Sequence, residues 1–366
     1  MPAAHVTRPT IALPQHLVTA DEICADIAQA HPQLPHLAAS LRIARSTQVT
    51  SRYFTRPLQD PAIGGDAAIT ERNRAAFTEA SILAVRAAQQ TLQETGTTPR
   101  DIDCIITSHT TSWTVPGLDV HLVEALGLRA DVRRIPMSTL GCAGGAHALV
   151  RARDHIAAHP GSIVLVVVAE MLSTVYSHHD TTTASMIYKT LFGDGAGACL
   201  VTGAPLGPGL CLESTWEYLL PDSRTRYAGR LDQNGLHFDS EKSATAAIVD
   251  LMPALHRFLA QQELRDVEFT VLHPGGPRII LDAEAGLGID QEPGLDGKAK
   301  KTRHSWASLR EEGNLGGVAV LSVLARTHDD PPADGARGIL LGFGPGFAVA
   351  AATARWETGP SSATPL

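Results

Sequence analysis

The run SIVLVVVAE at residues 162–170 constrains this chain most. From Ile163 to Ala169 every side chain is apolar and most are β-branched, which favours an extended strand. A strand without polar alternation has to be covered on both faces, and helices packed on the two sides of a sheet supply that cover. The chain is therefore expected to be α/β. The same run falls far short of the roughly 20 apolar residues that cross a bilayer, so no membrane span is expected.

The rest of the chain repeats this rhythm. Helical patterns cover 18–29 and 72–95, the second carrying Phe77, Ile82, Leu83 and Val85 and stopping at Gly96. A buried strand is expected over 103–108, helices over 119–126 and 146–159, and a helix over 185–192. Gly193 to Gly197 reads as a break before the strand ACLVTG. Further on, 244–262 and 315–326 are expected as helices, FTVLHPGG as strand then turn, and GILLGFGPGFAVAAATARW as two strands around a glycine turn. These alternations predict parallel strands, and similar orders in the two halves suggest a duplication divided into 1–205 and 206–366. Residues 284–303 read as loop or loose helix, and the tail from Glu357 as frayed.

Composition narrows the function. The chain has 366 residues, 44% hydrophobic and 19% charged, which is enough apolar content for a core and too much for disorder. Thirty basic against 38 acidic residues give a net charge of −8, which argues against a nucleic-acid partner. The five cysteines, Cys24, Cys104, Cys142, Cys199 and Cys211, are scattered and lack CxxC spacing. Neither a disulfide framework nor a zinc site is signalled. No metal or cofactor is expected: His155 and His159 lack an accompanying acid, and GFGPGF is not GxGxxG and leads into a strand. The N-terminus lacks the basic and apolar regions of a signal peptide, so a cytoplasmic location is expected.

Three residues point to chemistry. Cys142 sits in LGCAGGAH at the head of an expected helix, where small neighbours admit a substrate and free N–H groups favour a thiolate. His273 ends the strand FTVL before Pro-Gly-Gly, and Asn314 follows Gly313 at an element boundary. A thiol, an imidazole and an amide on three glycine-rich turns suit acyl or thioester chemistry.

LGCAGG, LFGDGAGACLV, HPGG, EEGN and GFGPG stand in an order that resembles the type III polyketide synthases, the chalcone synthase-like branch of the thiolase fold. RSTQVTSRYF and Pro221-Asp222-Ser223 also fit, so the resemblance spans about 11–356. It implies a thiolase-like αβαβα sandwich and an acyltransferase. In that reading Cys142 carries the acyl group, His273 is its ion-pair partner and Asn314 the second polar group. Phe192 and Phe238 match two aromatic gatekeepers, Arg42 matches a basic residue on the CoA phosphates, and 342–346 shapes the cavity floor. The implied partners are an acyl-CoA starter, a malonyl-CoA extender and a second copy of the chain, reached through the loop Val115 to Gly117.

Several positions depart from the family pattern. Two CoA-contacting lysines of plant members fall on Ala39 and Ser46, and Thr110 stands where many bacterial members have a second cysteine. Trp113 and Leu172 are bulkier than usual, and Gly316 replaces a frequent serine. Gly229 and Gly316 are expected to give the pocket depth, with Trp113 and Leu172 adding apolar bulk. That pattern predicts an aliphatic starter and a pyrone or resorcinol product. The alternatives are a single-condensation β-ketoacyl synthase III-like enzyme and, in another class, a papain-like protease, whose CGSCW signature is absent.

Overall fold

A computed structural model describes residues 3–290 and 300–359. Among these residues ten strands form one mixed sheet. Its order is Phe269–Leu272, Arg337–Gly344, Ala348–Glu357, Gly209–Leu219, Ala4–Val6, Asp194–Thr202, Ile163–Met171, Cys104–Ser108 and Arg133–Met137, with Thr10–Ala12 also on Asp194–Thr202. Strand Ala4–Val6 joins the halves, pairing Asp194–Thr202 on one side and Gly209–Leu219 on the other.

Ile163–Met171 explains the layering. Val164, Val166 and Val168 enter one core with helices Gly144–Ala158 and Ala319–Asp329. Leu165, Val167 and Ala169 enter another with helices Ile69–Thr95 and Leu118–Leu126. Successive strand side chains point to opposite faces, so an unbroken apolar run serves two cores at once. The central helices also meet Leu340, Ala350 and Ala352 from the other end of the sheet. That end turns Ile339, Leu341, Val349 and Ala351 toward helices Ala247–Gln261 and Pro277–Leu287. The result is five layers: helices, one half of the sheet, the central helices, the other half of the sheet, and helices.

The strands are not all parallel, contrary to the pattern-based expectation. Cys104–Ser108 runs parallel to Arg133–Met137 and Ile163–Met171, and Phe269–Leu272 parallel to Arg337–Gly344. The remaining neighbours are antiparallel. The turn Pro345–Phe347 shows why at one place: three residues can reverse a chain into its neighbour but cannot make a parallel crossover.

Gly193 to Gly197 likewise does not break the chain. Strand Asp194–Thr202 runs through it, fully buried. A Cβ on Gly193 would stand 2.4 Å from the Glu312 carbonyl oxygen, so the missing side chain serves close packing. The segment 284–303, expected as loop or loose helix, begins as helix, because Pro277–Leu287 continues through a buried Glu284 whose carboxylate accepts from Trp306. Residues 291–299 of that loop, and the tail from 360, lie outside the described residues. Helix Arg303–Glu312 was not anticipated, and the segment before Ala319–Asp329 opens with a tight turn, Gly316–Val318.

Candidate active site

Three chain segments meet at one cavity. Cys142 lies in the turn Gly141–Ala143 that leads into Gly144–Ala158. A side chain on Gly145 would run into the Gly317 carbonyl oxygen, so this elbow stays glycine because the two central helices start against each other. His273 follows Phe269–Leu272, its N–H donating to the Leu341 carbonyl at 2.9 Å. Asn314 is fastened by its backbone between Leu191 and Gly193, donating to the Leu191 carbonyl and accepting from Gly193 N–H.

The Asn314 amide has a defined orientation. Its Oδ1 accepts from Gly316 N–H at 2.8 Å, which leaves Nδ2 to donate toward the Gly275 carbonyl at 3.4 Å and the Cys142 sulfur at 3.6 Å. A donor is thereby aimed at the sulfur and at the space beside it. The imidazole is buried, its Nδ1 has no hydrogen-bond partner among the described residues, and a side chain on Gly275 would meet its Cδ2 and Nε2 at 3.4 Å.

Burial disfavours either charge alone here. It pushes the Cys142 thiol up to about 12, against the hydrogen bond from Asn314, and the His273 imidazole down to about 3. A thiolate is tolerable in such a place when an imidazolium forms in the same cavity, since each then offsets the other's lost hydration. Glu170 is a further titratable group in this cavity. Its Oε2 accepts from Thr110 N–H at 3.1 Å, its Oε1 is buried without a partner, and burial pushes the carboxyl up to about 8. It is therefore neutral near pH 7.

These groups face one mainly apolar cavity. Cys142, His273 and Asn314 line it together with Thr110, Leu172, Phe192, Phe238 and Gly316. Three other sequence candidates do not. Trp113 is 77% exposed, and Arg42 is exposed on helix Leu37–Ser46. Gly229 lies behind Phe238 across a strand pair, where an added Cβ would stand 3.2 Å from the ring. Gly229 thus seats Phe238 and adds no depth. Gly316 adds none either: its φ is +60°, and a Cβ would meet Leu172 at 3.1 Å and Glu170 at 3.2 Å. Of the two residues expected to add apolar bulk, Leu172 lines the cavity and Trp113 does not.

Aromatic rings line it as well. Tyr188, Tyr227, Phe343 and Phe347 line the cavity along with the two anticipated phenylalanines. Sequence reasoning missed Tyr188, Tyr227 and Glu170, yet each left a signal. Tyr188 is four residues before Phe192 on the helical pattern, Tyr227 two before Gly229, and Glu170 is the polar residue ending the apolar run.

A layered α/β fold presenting a cysteine, a histidine and an asparagine to one aromatic cavity defines a condensing acyltransferase of the thiolase type. The chain belongs to the chalcone and stilbene synthase family, matching its N-terminal domain over residues 10–205 and its C-terminal domain over 204–355, and is a type III polyketide synthase. It is 32% identical to the 1,3,6,8-tetrahydroxynaphthalene synthase of Streptomyces coelicolor, over 97% of this chain and 93% of that one. It is 30% identical to the phloroglucinol synthase of Pseudomonas fluorescens, over 95% and 98%. The crystal structure of the Streptomyces coelicolor tetrahydroxynaphthalene synthase superposes with a TM-score of 0.90 at 31% identity, covering 97% of this chain and all of that one. Germicidin synthase from Streptomyces coelicolor gives 0.88 at 29%, again over 97% and all of that chain. No helix among the described residues is long and apolar enough to cross a membrane.

Proposed function

We propose that this polyketide synthase loads a starter acyl group from a CoA thioester onto Cys142 and extends it with malonyl-CoA. The convergence of Cys142, His273 and Asn314 on one cavity carries this reading. The imidazole takes the thiol proton, and the thiolate attacks the starter carbonyl. The C–S bond to CoA breaks, leaving an acyl-cysteine thioester and free CoA. Malonyl-CoA then loses CO2, and the electron pair of that C–C bond becomes an enolate whose oxygen accepts from Asn314 Nδ2–H and from His273. The enolate carbon attacks the acyl-cysteine carbonyl, a new C–C bond forms, and the thiolate leaves to be used again.

Repetition builds a polyketide that closes into a ring. The aromatic walls exclude water from an intermediate that would otherwise hydrolyse. The chain's own side chains account for each of these steps, and we propose that it works as a homodimer in the cytoplasm. Incubation with acyl-CoA and 13C-labelled malonyl-CoA tests the reading. Intact-protein mass spectrometry should show an acyl adduct that maps to Cys142, and the small-molecule fraction a labelled cyclic product. Absence of both would reject it.

A further inference from the structure

We propose that Tyr188 fixes the size of the starter, so that this chain takes short acyl-CoA thioesters of acetyl or malonyl size and rejects medium chains. The inference rests on the polyketide-synthase reading above and deepens it.

Tyr188 stands on helix Thr183–Leu191, and spacing of four residues places it on the same face as Phe192. The two rings stack, centroids 5.0 Å apart and 11° from parallel. Phe238 closes the group edge-on, 5.7 Å from Phe192 and 6.2 Å from Tyr188. A methylene chain between two rings needs a carbon contact of roughly 3.5–4.0 Å on each side, hence about 7–8 Å between them. None of the three pairs leaves that width. An acyl chain reaching Cys142 has to stay on one side of this cluster, within a cavity that Tyr227, Phe343 and Phe347 also line.

The cluster is also held in place. Phe238 sits over Gly229 in the hairpin of Tyr227–Asp232 and Gly235–Ser240. His237 anchors that hairpin, with Nδ1 3.2 Å from Asp180 and Nε2 3.0 Å from Asp232. Removing the Tyr188 ring would therefore open a space that its neighbours cannot readily refill.

The test is the rate of acylation of the full-length enzyme by acetyl-CoA and by octanoyl-CoA without malonyl-CoA, read by intact-protein mass spectrometry. The wild type should load acetyl at least tenfold faster than octanoyl. Tyr188→Ala should raise the octanoyl-to-acetyl ratio at least tenfold, while Tyr188→Phe, which keeps the ring, should leave that ratio near the wild-type value. Should Tyr188→Ala fail to fold, Tyr188→Leu is read in the same assay and should shift the ratio in the same direction. A wild type that loads octanoyl as fast as acetyl, or a ratio unmoved by losing the ring, overturns the inference with the polyketide reading intact. No adduct from either thioester, or from malonyl-CoA, overturns both.

Discussion

The Asn314 amide nitrogen stands 3.6 Å from the Cys142 sulfur while its oxygen is held by the Gly316 N–H. The amide is thereby a fixed donor that does not titrate. Asn314→Ala should still accept a starter on Cys142 but lose malonyl-CoA decarboxylation by 10²–10³-fold, the usual loss for one oxyanion donor. Asn314→Asp replaces that donor with a carboxylate beside the sulfur and should depress loading as well. Single-turnover mass spectrometry and 14CO2 release separate the two steps. Equal loading by the Asp and wild-type proteins would contradict the geometry.

The thiol itself should be dispensable for folding. Cys142 is bordered by Gly141, Ala143 and Gly144, and replacing it by alanine removes only one sulfur atom from the wall of an existing cavity. Cys142→Ala should lose all covalent acyl adduct while its thermal midpoint stays within about 3 °C of the wild type, equivalent to less than ~1 kcal/mol. An adduct persisting on the variant would move the nucleophile elsewhere.

That Cys142, His273 and Asn314 meet at one cavity was legible because each sits on a glycine turn whose sequence is short and local. The layers were legible for a similar reason, since the 162–170 run states its own two-sided burial. Strand direction was not, because it depends on how long a connection is, and the turn Pro345–Phe347 becomes a hairpin only when both flanking strands are known. Gly229 and Trp113 misled the pocket argument. A glycine's effect depends on what its absent side chain would meet, here the Phe238 ring, and sequence spacing cannot supply that neighbour. Tyr188 became significant only when Phe238, fifty residues away, was found against it.

Gly316 illustrates how tightly the cavity is drawn. At φ +60° a side chain is strained, and its Cβ would press on Leu172 and Glu170. Gly316→Ala should cost about 1–3 kcal/mol and lower the thermal midpoint by several degrees. Leu172→Ala should recover part of that loss when combined with it, because it removes one of the two contacts. Strict additivity of the two costs in urea melts would deny the contact.

The loop before helix Leu118–Leu126 exposes Val115 at 81% and Trp113 at 77%. Two large apolar residues left this open on one loop are a liability in a monomer and an asset in an interface. A homodimer should scatter light at twice the 38.7 kDa chain mass. The double substitution Trp113→Glu and Val115→Glu should shift it toward the monomer at micromolar concentration. An unchanged mass would remove this loop from the interface.

Glu170 gives the protein a pH signature that can be isolated. Burial raises its carboxyl from an ordinary 4.5 to about 8 in the folded chain. A raised acid favours the folded state fully below 4.5, and that advantage is lost as pH climbs from 4.5 to 8, because the unfolded chain can ionise there and the folded one cannot. At 1.36 kcal/mol for each unit of difference, the loss amounts to several kcal/mol, on the order of 3–5. Glu170→Gln keeps the shape and stays neutral at every pH. Wild-type stability relative to Glu170→Gln should therefore fall steadily from pH 4.5 to 8 and flatten above. His273 works in the opposite sense, since its depressed value makes the folded state lose stability as pH drops below 6.5. It is present in both proteins, so the difference curve cancels it. Urea denaturation at half-unit steps from pH 4.5 to 9 provides the measurement. Parallel curves for the two proteins would show that Glu170 ionises in the cavity at an ordinary pH, and that its unpartnered oxygen is solvated.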